Sequence, residues 1–379
     1  MSKIVKAMIF VLAATVLLGV SAGAEKNADK RLNIVTTIFP AYDFARAIVG
    51  DRADVSMLVR PGSEVHSFDP SPQDILLIRN ADVFIYIGGK SETWIETLMI
   101  AAEFPGKAIR LIEYVDAVRE GGAGCAHVCE KEDCEECEEG HGHGHEPVHG
   151  HAHGHAHAHE PAHEHGHAHR HEHRHEQRHA HEHAPAPAHC HGHEHCHGHE
   201  EEYDEHIWTS PTNAIAMIRA IMDALRSVDP SNSYEYIIRA YSYIAEIEAL
   251  REEFRALVAL AKNAERNKIV IADRFPFRYF VNEFGLEYRA AFPGCHTQAD
   301  ISVATMAYLI RTVSNYDIPV VYILEFSSGH IARAIAEETG AEILTLHSAH
   351  NVTREDFEAG VTYVDLMRRN LENLRKGLN

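Results

Sequence analysis

Between residues 32 and 112, short apolar runs rich in β-branched and aromatic side chains alternate with amphipathic stretches: LNIVTT, PAYDFARAIVG, DVSMLV, SPQDILLIRN, DVFIYIG, WIETLMIAAE and KAIRLI. Short apolar runs separated by helix-period segments predict a parallel sheet flanked by helices. From Lys268 the rhythm returns as KIVIA, FRYFVNEFGL, EYRAAF, ISVATMAYLIRTVSNY, PVVYIL, GHIARAIAEETGA and EILTL, and a terminal helix is predicted from about Thr353. Between the two patterns Tyr234, Ile237, Tyr241, Ile244, Ile247, Leu250, Phe254, Leu257 and Ala261 recur every three or four residues, the spacing of one helix face. At 1.5 Å per residue, residues 233–263 would form a rod of roughly 45 Å. The expected fold is therefore α/β: two parallel-sheet lobes, over residues 30–228 and 266–379, joined stiffly by a connecting helix within residues 229–265.

One segment breaks this pattern. Residues 121–205 lack aliphatic periodicity; they open with the acidic block EKEDCEECEE and continue as HGHGHEPVHGHAHGHAHAHE, rich in His, Gly, Ala and Glu. A stretch so poor in large apolar side chains cannot bury enough surface to offset chain entropy, which predicts a disordered loop. It interrupts the first lobe, because the helix pattern SPTNAIAMIRAIMDAL follows before the connector begins.

The N-terminus carries Lys3 and Lys6, an apolar run over residues 7–20 and then Ala22-Gly23-Ala24. That order reads as an export signal over residues 1–24 with a mature start near Glu25. The run is shorter than the roughly 20 apolar residues that a span requires, and no Cys follows it to accept a lipid, so a free periplasmic protein is expected; retention as an uncleaved anchor is the alternative. The formal charge of −21 with neutral His leaves no basic stripe to displace counterions, which argues against a nucleic-acid partner. Six of the 7 cysteines, Cys125, Cys129, Cys134, Cys137, Cys190 and Cys196, lie in or beside the His-rich tract. The folded lobes thus have no disulfide framework, and the six either pair in an oxidising compartment or serve as thiolate ligands.

In two-lobed α/β proteins ligands bind beyond the C-terminal ends of the parallel strands. Several metal-competent residues fall there: Glu64 and His66 after VSMLV, Asp273 after KIVIA, Glu325 after VVYIL, and His347, with His350 close by, after EILTL. His206 precedes a helix start marked by Ser210-Pro211. Imidazole nitrogens and carboxylate oxygens suit a tetrahedral Zn²⁺ site, or Mn²⁺ where oxygens dominate; the histidines here outnumber what a manganese site wants. Cys295 and His296, in FPGCHTQAD, lie on a strand-to-helix loop that could approach the same place.

With these residues in view, the chain resembles the metal-binding receptors of zinc and manganese ABC transporters. The resemblance runs from about Leu32 to the C-terminus. It is carried by GSEVHSFDPSPQD, similar to the family's first-ligand segment; by DEHIWTSP, similar to its second; by VNEFGL after a strand-end Asp; and by EETGAEILTL, which leads to the last ligand region. A His- and acid-rich loop between the first and second ligand segments resembles the zinc-importing branch. One departure matters: where the family places a third His before the Asp that ends the KIVIAD strand, this chain has Ala272. The resemblance then implies His66, His206 and His347 as the three nitrogens, with the fourth position left to Glu64, Asp273, Glu325 or water.

The expected function is a non-enzymatic, monomeric extracytoplasmic receptor that holds Zn²⁺ in the cleft between the lobes and passes it to an ABC-transporter permease. The His-rich tract would aid capture or buffering. Outside the His-rich tract, whose dense His and Glu match HExxH by composition alone, the chain has no HExxH and no positioned general base, which argues against a metallohydrolase. A manganese receptor of the same family remains as an alternative, as does a secreted buffer or adhesin acting through the tract alone.

Overall fold

A computed structural model describes residues 31–119, 203–294 and 301–379. The expected export signal, nearly all of the His-rich tract, and Cys295 and His296 lie outside the described residues. Among the described residues, no helix is long and apolar enough to cross a membrane.

The first lobe runs β1 (Leu32–Thr36), α1 (Phe39–Val49), β2 (Ala53–Met57), α2 (Pro72–Arg79), β3 (Val83–Tyr86), α3 (Trp94–Ala102), β4 (Lys107–Arg110) and α4 (Pro211–Val228). The connector is α5 (Ser233–Asn263). The second lobe runs β5 (Lys268–Ile271), α6 (Arg278–Phe284), β6 (Glu287–Ala290), α7 (Val303–Asn315), β7 (Val320–Ile323), α8 (His330–Thr339), β8 (Glu342–Thr345), α9 (Arg354–Glu358) and α10 (Tyr363–Leu378). Every strand pairing is parallel, in the order β2-β1-β3-β4 in one sheet and β6-β5-β7-β8 in the other. The α/β architecture with two parallel sheets is as the apolar pattern predicts. In each sheet the strand order reverses beside the first strand, between β1 and β3 and between β5 and β7, which opens a crevice at the strand C-termini.

Period-two alternation divides each sheet between two cores. Ile34, Val83 and Ile85 face one large cluster that continues through α5 to Ile269, Ile271, Val320 and Tyr322 of the second sheet. Val35 and Phe84 face outward beneath α2 and α3, and Val270 and Val321 do so beneath α7 and α8. One core therefore spans both lobes, and α5 carries it across. Phe254, fully buried in the middle of that bridge, packs its ring against Phe280 at 5.1 Å.

The N-terminal half of α5 turns a different face inward from the one its apolar spacing suggests. Tyr234 and Tyr241 are exposed, while Tyr236, Ala240 and Tyr243 are buried. Both alternatives contain tyrosines, so apolarity does not choose between them. The choice follows the hydroxyls: Tyr236 donates to Asp229 at 2.7 Å and Tyr243 donates to Asp43. Asp43, buried on α1, also accepts from Arg46 at 2.8 Å and from the backbone N–H of Tyr363 at 2.9 Å. Burial drives the Asp43 carboxyl up from its ordinary pKa, and these donors only partly offset it. The chain entering α10, assigned by pattern to the second lobe, is thereby fastened to the first. Arg46 adds hydrogen bonds to the carbonyls of Gly360 and Val361 at 3.0 and 2.6 Å.

Candidate metal centre

The folded body resumes at Tyr203, earlier than tract composition predicts. Tyr203 forms an isolated antiparallel bridge with Arg119, so the two ends of the His-rich insertion meet. The Asp204 N–H donates to the Val118 carbonyl at 2.9 Å, and the Tyr279 hydroxyl donates to the Asp204 carbonyl at 2.7 Å. Asp204 and Glu205, expected within the disordered loop, are instead buried. Their short acidic side chains look like more of the tract; only their partners in the fold distinguish them.

His206 follows directly. Ile207 and Trp208, both fully buried, anchor the short turn that it enters. Ser210 then caps α4 by accepting the Asn213 N–H, with Pro211 in the first turn, where its missing N–H costs nothing. The His206 Nδ1 lies 2.8 Å from Asp204 Oδ1. Burial would raise the Asp204 pKa, but the hydrogen bonds and charge of His206, with the Arg278 guanidinium at 3.4 Å, hold it below the ordinary carboxylate range. An ionised Asp204 can only accept, which puts a proton on His206 Nδ1 and makes Nε2 the nitrogen suited to hold a metal.

His66 sits on the loop between β2 and α2, and the second lobe holds that loop in place. The Gly62 N–H donates to the Val352 carbonyl at 2.7 Å, and Asn351 Nδ2 donates to the carbonyls of Arg60 and Ser63, each at 2.8 Å. Gly62 has φ +79°, a conformation that favours glycine. His350 comes from the loop after β8. The Ser348 N–H and hydroxyl both donate to Glu325, and the Ser348 carbonyl accepts the indole N–H of Trp208 at 2.8 Å. Ala349 reverses the chain with φ +59°, and the His350 N–H donates to Ser348 Oγ at 3.2 Å.

These three loops bring His66, His206 and His350 together, with one ring nitrogen of each within 4.8 Å of the others. Ring centroids are 6.1 Å apart for His66 and His206, 5.1 Å for His66 and His350, and 5.2 Å for His206 and His350. The Trp208 ring lies beside the group, 4.9 Å from His350 and 5.4 Å from His206. A cavity of about 30 Å³ opens onto His66 and His350. That is room for an ion and a water rather than for an organic molecule. The larger cavity, about 380 Å³, lies beside Lys262, Arg266, Lys268 and Tyr316 and touches none of the three histidines.

The remaining residues expected at the site are not in this group. His347 is buried, but its Nδ1 accepts the Ala349 N–H at 2.9 Å within its own loop. The third nitrogen in the group therefore belongs to His350, because the left-handed turn at Ala349 presents position 350 to the first lobe. Glu64 is half-exposed and pairs with Arg274 at 3.4 Å; Asp273 accepts the Arg274 N–H at 2.8 Å. Glu325 is occupied by Ser348. Ala272 packs into the outer core of the second sheet and offers no donor atom.

Comparison with known proteins agrees with this architecture. The family model for the zinc-uptake complex component A, periplasmic (ZnuA), matches residues 34–377. The zinc-binding protein AdcA of Streptococcus pyogenes serotype M3 is 26% identical over 354 residues, covering 92% of this chain and 56% of that relative. The chain thus spans little more than half the length of the AdcA relatives that it matches. The high-affinity zinc uptake system protein ZnuA of Bacillus subtilis is 27% identical over 377 residues, covering 98% of this chain and 97% of that one. A Streptococcus pneumoniae relative is named a zinc-binding lipoprotein, a form of attachment that the N-terminal pattern of this chain does not predict. Among solved structures, the Zn(II)-bound ZnuA-like domain of S. pneumoniae AdcA superposes with a TM-score of 0.62 at 23% identity, covering 92% of this chain and 99% of that one. A Mn-bound periplasmic metal-binding protein from Candidatus Liberibacter asiaticus superposes with a TM-score of 0.61 at 20% identity over 92% of this chain. The fold is thus shared by zinc and manganese binders, and the choice of metal falls to the donor set.

Proposed function

The chain belongs to the zinc-uptake complex component A (ZnuA) family, and from that premise we propose that it is an extracytoplasmic receptor that holds one Zn²⁺ on His66, His206 and His350 and delivers it to the permease of an ABC importer. The observation that carries this reading is the convergence of three imidazoles from loops of both lobes. Zinc–imidazole bonds of about 2.0–2.1 Å place tetrahedral nitrogens roughly 3.4 Å apart. Donor atoms already within 4.8 Å of one another need close by no more than about 1.5 Å to reach that geometry. With Arg274 drawing off Glu64 and Asp273, and Ser348 occupying Glu325, water is the fourth ligand. A set of three nitrogens favours zinc over manganese, which prefers oxygen.

One core runs through α5 and both sheets, so loading calls for loop adjustment rather than a wide hinge swing. The small cavity suits cargo, not catalysis on an organic substrate. A single chain supplies all three nitrogens, so the site needs no second copy of the chain. The Arg119–Tyr203 bridge, three residues before His206, joins the described chain on either side of the His-rich tract, and the tract serves to gather zinc for the site.

The test is zinc titration against a chelator for the whole protein, for a variant lacking residues 126–202, and for that variant with His206→Ala. One tight site should survive the deletion and disappear with His206→Ala. Loss of all tight binding on deletion would instead assign the function to the tract, and tight manganese binding without zinc binding would overturn the metal assignment.

A further inference from the structure

Two consecutive carboxylates precede His206, and they face different histidines. Asp204 contacts His206 Nδ1. Glu205, only 3% exposed, turns toward the first sheet, where its Oε2 accepts the Ser91 N–H at 2.8 Å beyond the end of β3. Its other oxygen, Oε1, lies 3.7 Å from His66 Nδ1, both side chains being largely buried. The space is shaped for this carboxylate. A β-carbon on Gly89 would lie 2.1 Å from Glu205 Cβ and 2.4 Å from Oε2, so any other residue at 89 would expel it. Glu205 itself stands outside the group of mutually close donor atoms formed by His66, His206 and His350.

Resting on the metal-site reading above, we propose that Glu205 is a positioning residue: it holds the His66 ring with the proton on Nδ1 and Nε2 directed to the ion, so that the Asp204–Glu205 pair orients both nitrogens contributed by the first lobe. At 3.7 Å the contact is electrostatic rather than a formed hydrogen bond. A buried carboxylate on the Nδ1 side still favours the tautomer whose N–H points at it, because little solvent screens the pair. An imidazole lacking that acceptor distributes its proton over both nitrogens, and a proton on Nε2 must leave before the metal can bind. Outer-shell carboxylates of this kind set ligand tautomer and orientation, and their loss costs about 10–100-fold in metal affinity. The two oxygens of Glu205 divide the work: Oε2, fixed by the Ser91 amide, locks the side chain, and Oε1 faces the ring.

The experiment uses the full-length protein labelled with ¹⁵N-histidine, comparing wild type, Glu205→Gln and Glu205→Ala, with the His66 resonances assigned by their loss in His66→Gln. Long-range ¹H–¹⁵N spectra of the metal-free protein should place the wild-type His66 proton on Nδ1, and the Glu205 variants should shift it toward a mixture of tautomers. Zinc affinity at the tightest site should fall about 10–100-fold in Glu205→Ala and less in Glu205→Gln, whose amide oxygen still accepts, with thermal unfolding checked for both. Unchanged tautomer and affinity in the variants would overturn the proposal while leaving the metal site standing. A fall in affinity with an unchanged His66 tautomer would overturn it in favour of Glu205 as a direct ligand. Wild-type protein without a tight zinc site would instead refute the metal-site reading beneath it.

Discussion

The two sheets have the same strand order, and their edge strands feed the site in corresponding places: the chain after β4 leads to His206, and the chain after β8 leads to His350. The support behind the two rings differs. In the first lobe, buried carboxylates face the imidazoles, Asp204 at 2.8 Å from His206 and Glu205 at 3.7 Å from His66. In the second, His350 rides on a turn held through its backbone by Ser348, which Glu325 and Trp208 brace in turn. The contacts described in the first lobe thus reach the rings themselves, and those described in the second reach the turn that carries His350. Variants on the two sides should fail differently: loss of a carboxylate weakens binding with the site still formed, whereas loss of the turn displaces a ligand.

The largest effect expected is from His350→Ala, which removes the only nitrogen of the group that the second lobe contributes. Zinc affinity should drop by more than about 100-fold, beyond the range for outer-shell residues. His347→Ala, which loses a hydrogen bond within the loop and a 3.7 Å contact with Glu325, should stay within about threefold. Chelator competition on the two proteins side by side checks this; the reverse ranking would move the third nitrogen to His347 and break the comparison.

Next is a buried acid of the first lobe. Glu92 is fully enclosed, and burial, with a further push from Glu205, raises its carboxyl to about 7 against the opposing Gly88 amide. Its folded-state pKa lies above the unfolded value of about 4.5. The neutral acid is therefore at no disadvantage below pH 4.5, and stability is lost progressively as pH rises toward 7. Glu92→Gln, permanently neutral, should match wild type in acid and become more stable above neutrality, by at most about 3 kcal/mol at 1.36 kcal/mol per pKa unit. Urea unfolding at pH 4.5 and pH 8 measures the difference.

Asp204→Ala should weaken zinc binding by about 10–100-fold through loss of the His206 tautomer lock, read by the same competition assay. The smallest change is expected from Asn351→Ala, which removes both hydrogen bonds from the second lobe to the carbonyls of Arg60 and Ser63. A stability loss of about 1–2 kcal/mol and only a modest loss of affinity should follow. If binding fell as far as in His350→Ala, loop geometry rather than ligand identity would control the site.

Elements with strong periodicity are legible in the amino-acid pattern. The strands and the helix over residues 233–263 stand where the apolar spacing places them, because each carries a run of apolar positions to bury; the face that the N-terminal half of that helix turns inward is not set by apolarity. His66 and His206 are legible as candidates because each stands beside a distinctive local signal, a proline-led helix start or a pair of bulky anchors. Tyr236 and Tyr243 are not distinguishable by spacing from Tyr234 and Tyr241, since either set keeps helical periodicity and only the partners Asp229 and Asp43, the latter distant in sequence, separate them. Asp204 and Glu205 are hidden in an acidic background for the same reason.

What the sequence determines alone is therefore the set of elements, their order and the kind of chemistry available: parallel sheets, one long bridge, and imidazoles after strand ends. What the tertiary structure decides is which imidazoles meet. His347 and His350 are three residues apart in one loop and chemically identical, so no local rule ranks them. The turn at Ala349, with Ser348 held by Glu325 and by Trp208 of the other lobe, sends one ring to its own backbone and the other to the centre. That selection depends on contacts between residues more than a hundred positions apart, which are set only when the two lobes close on one core.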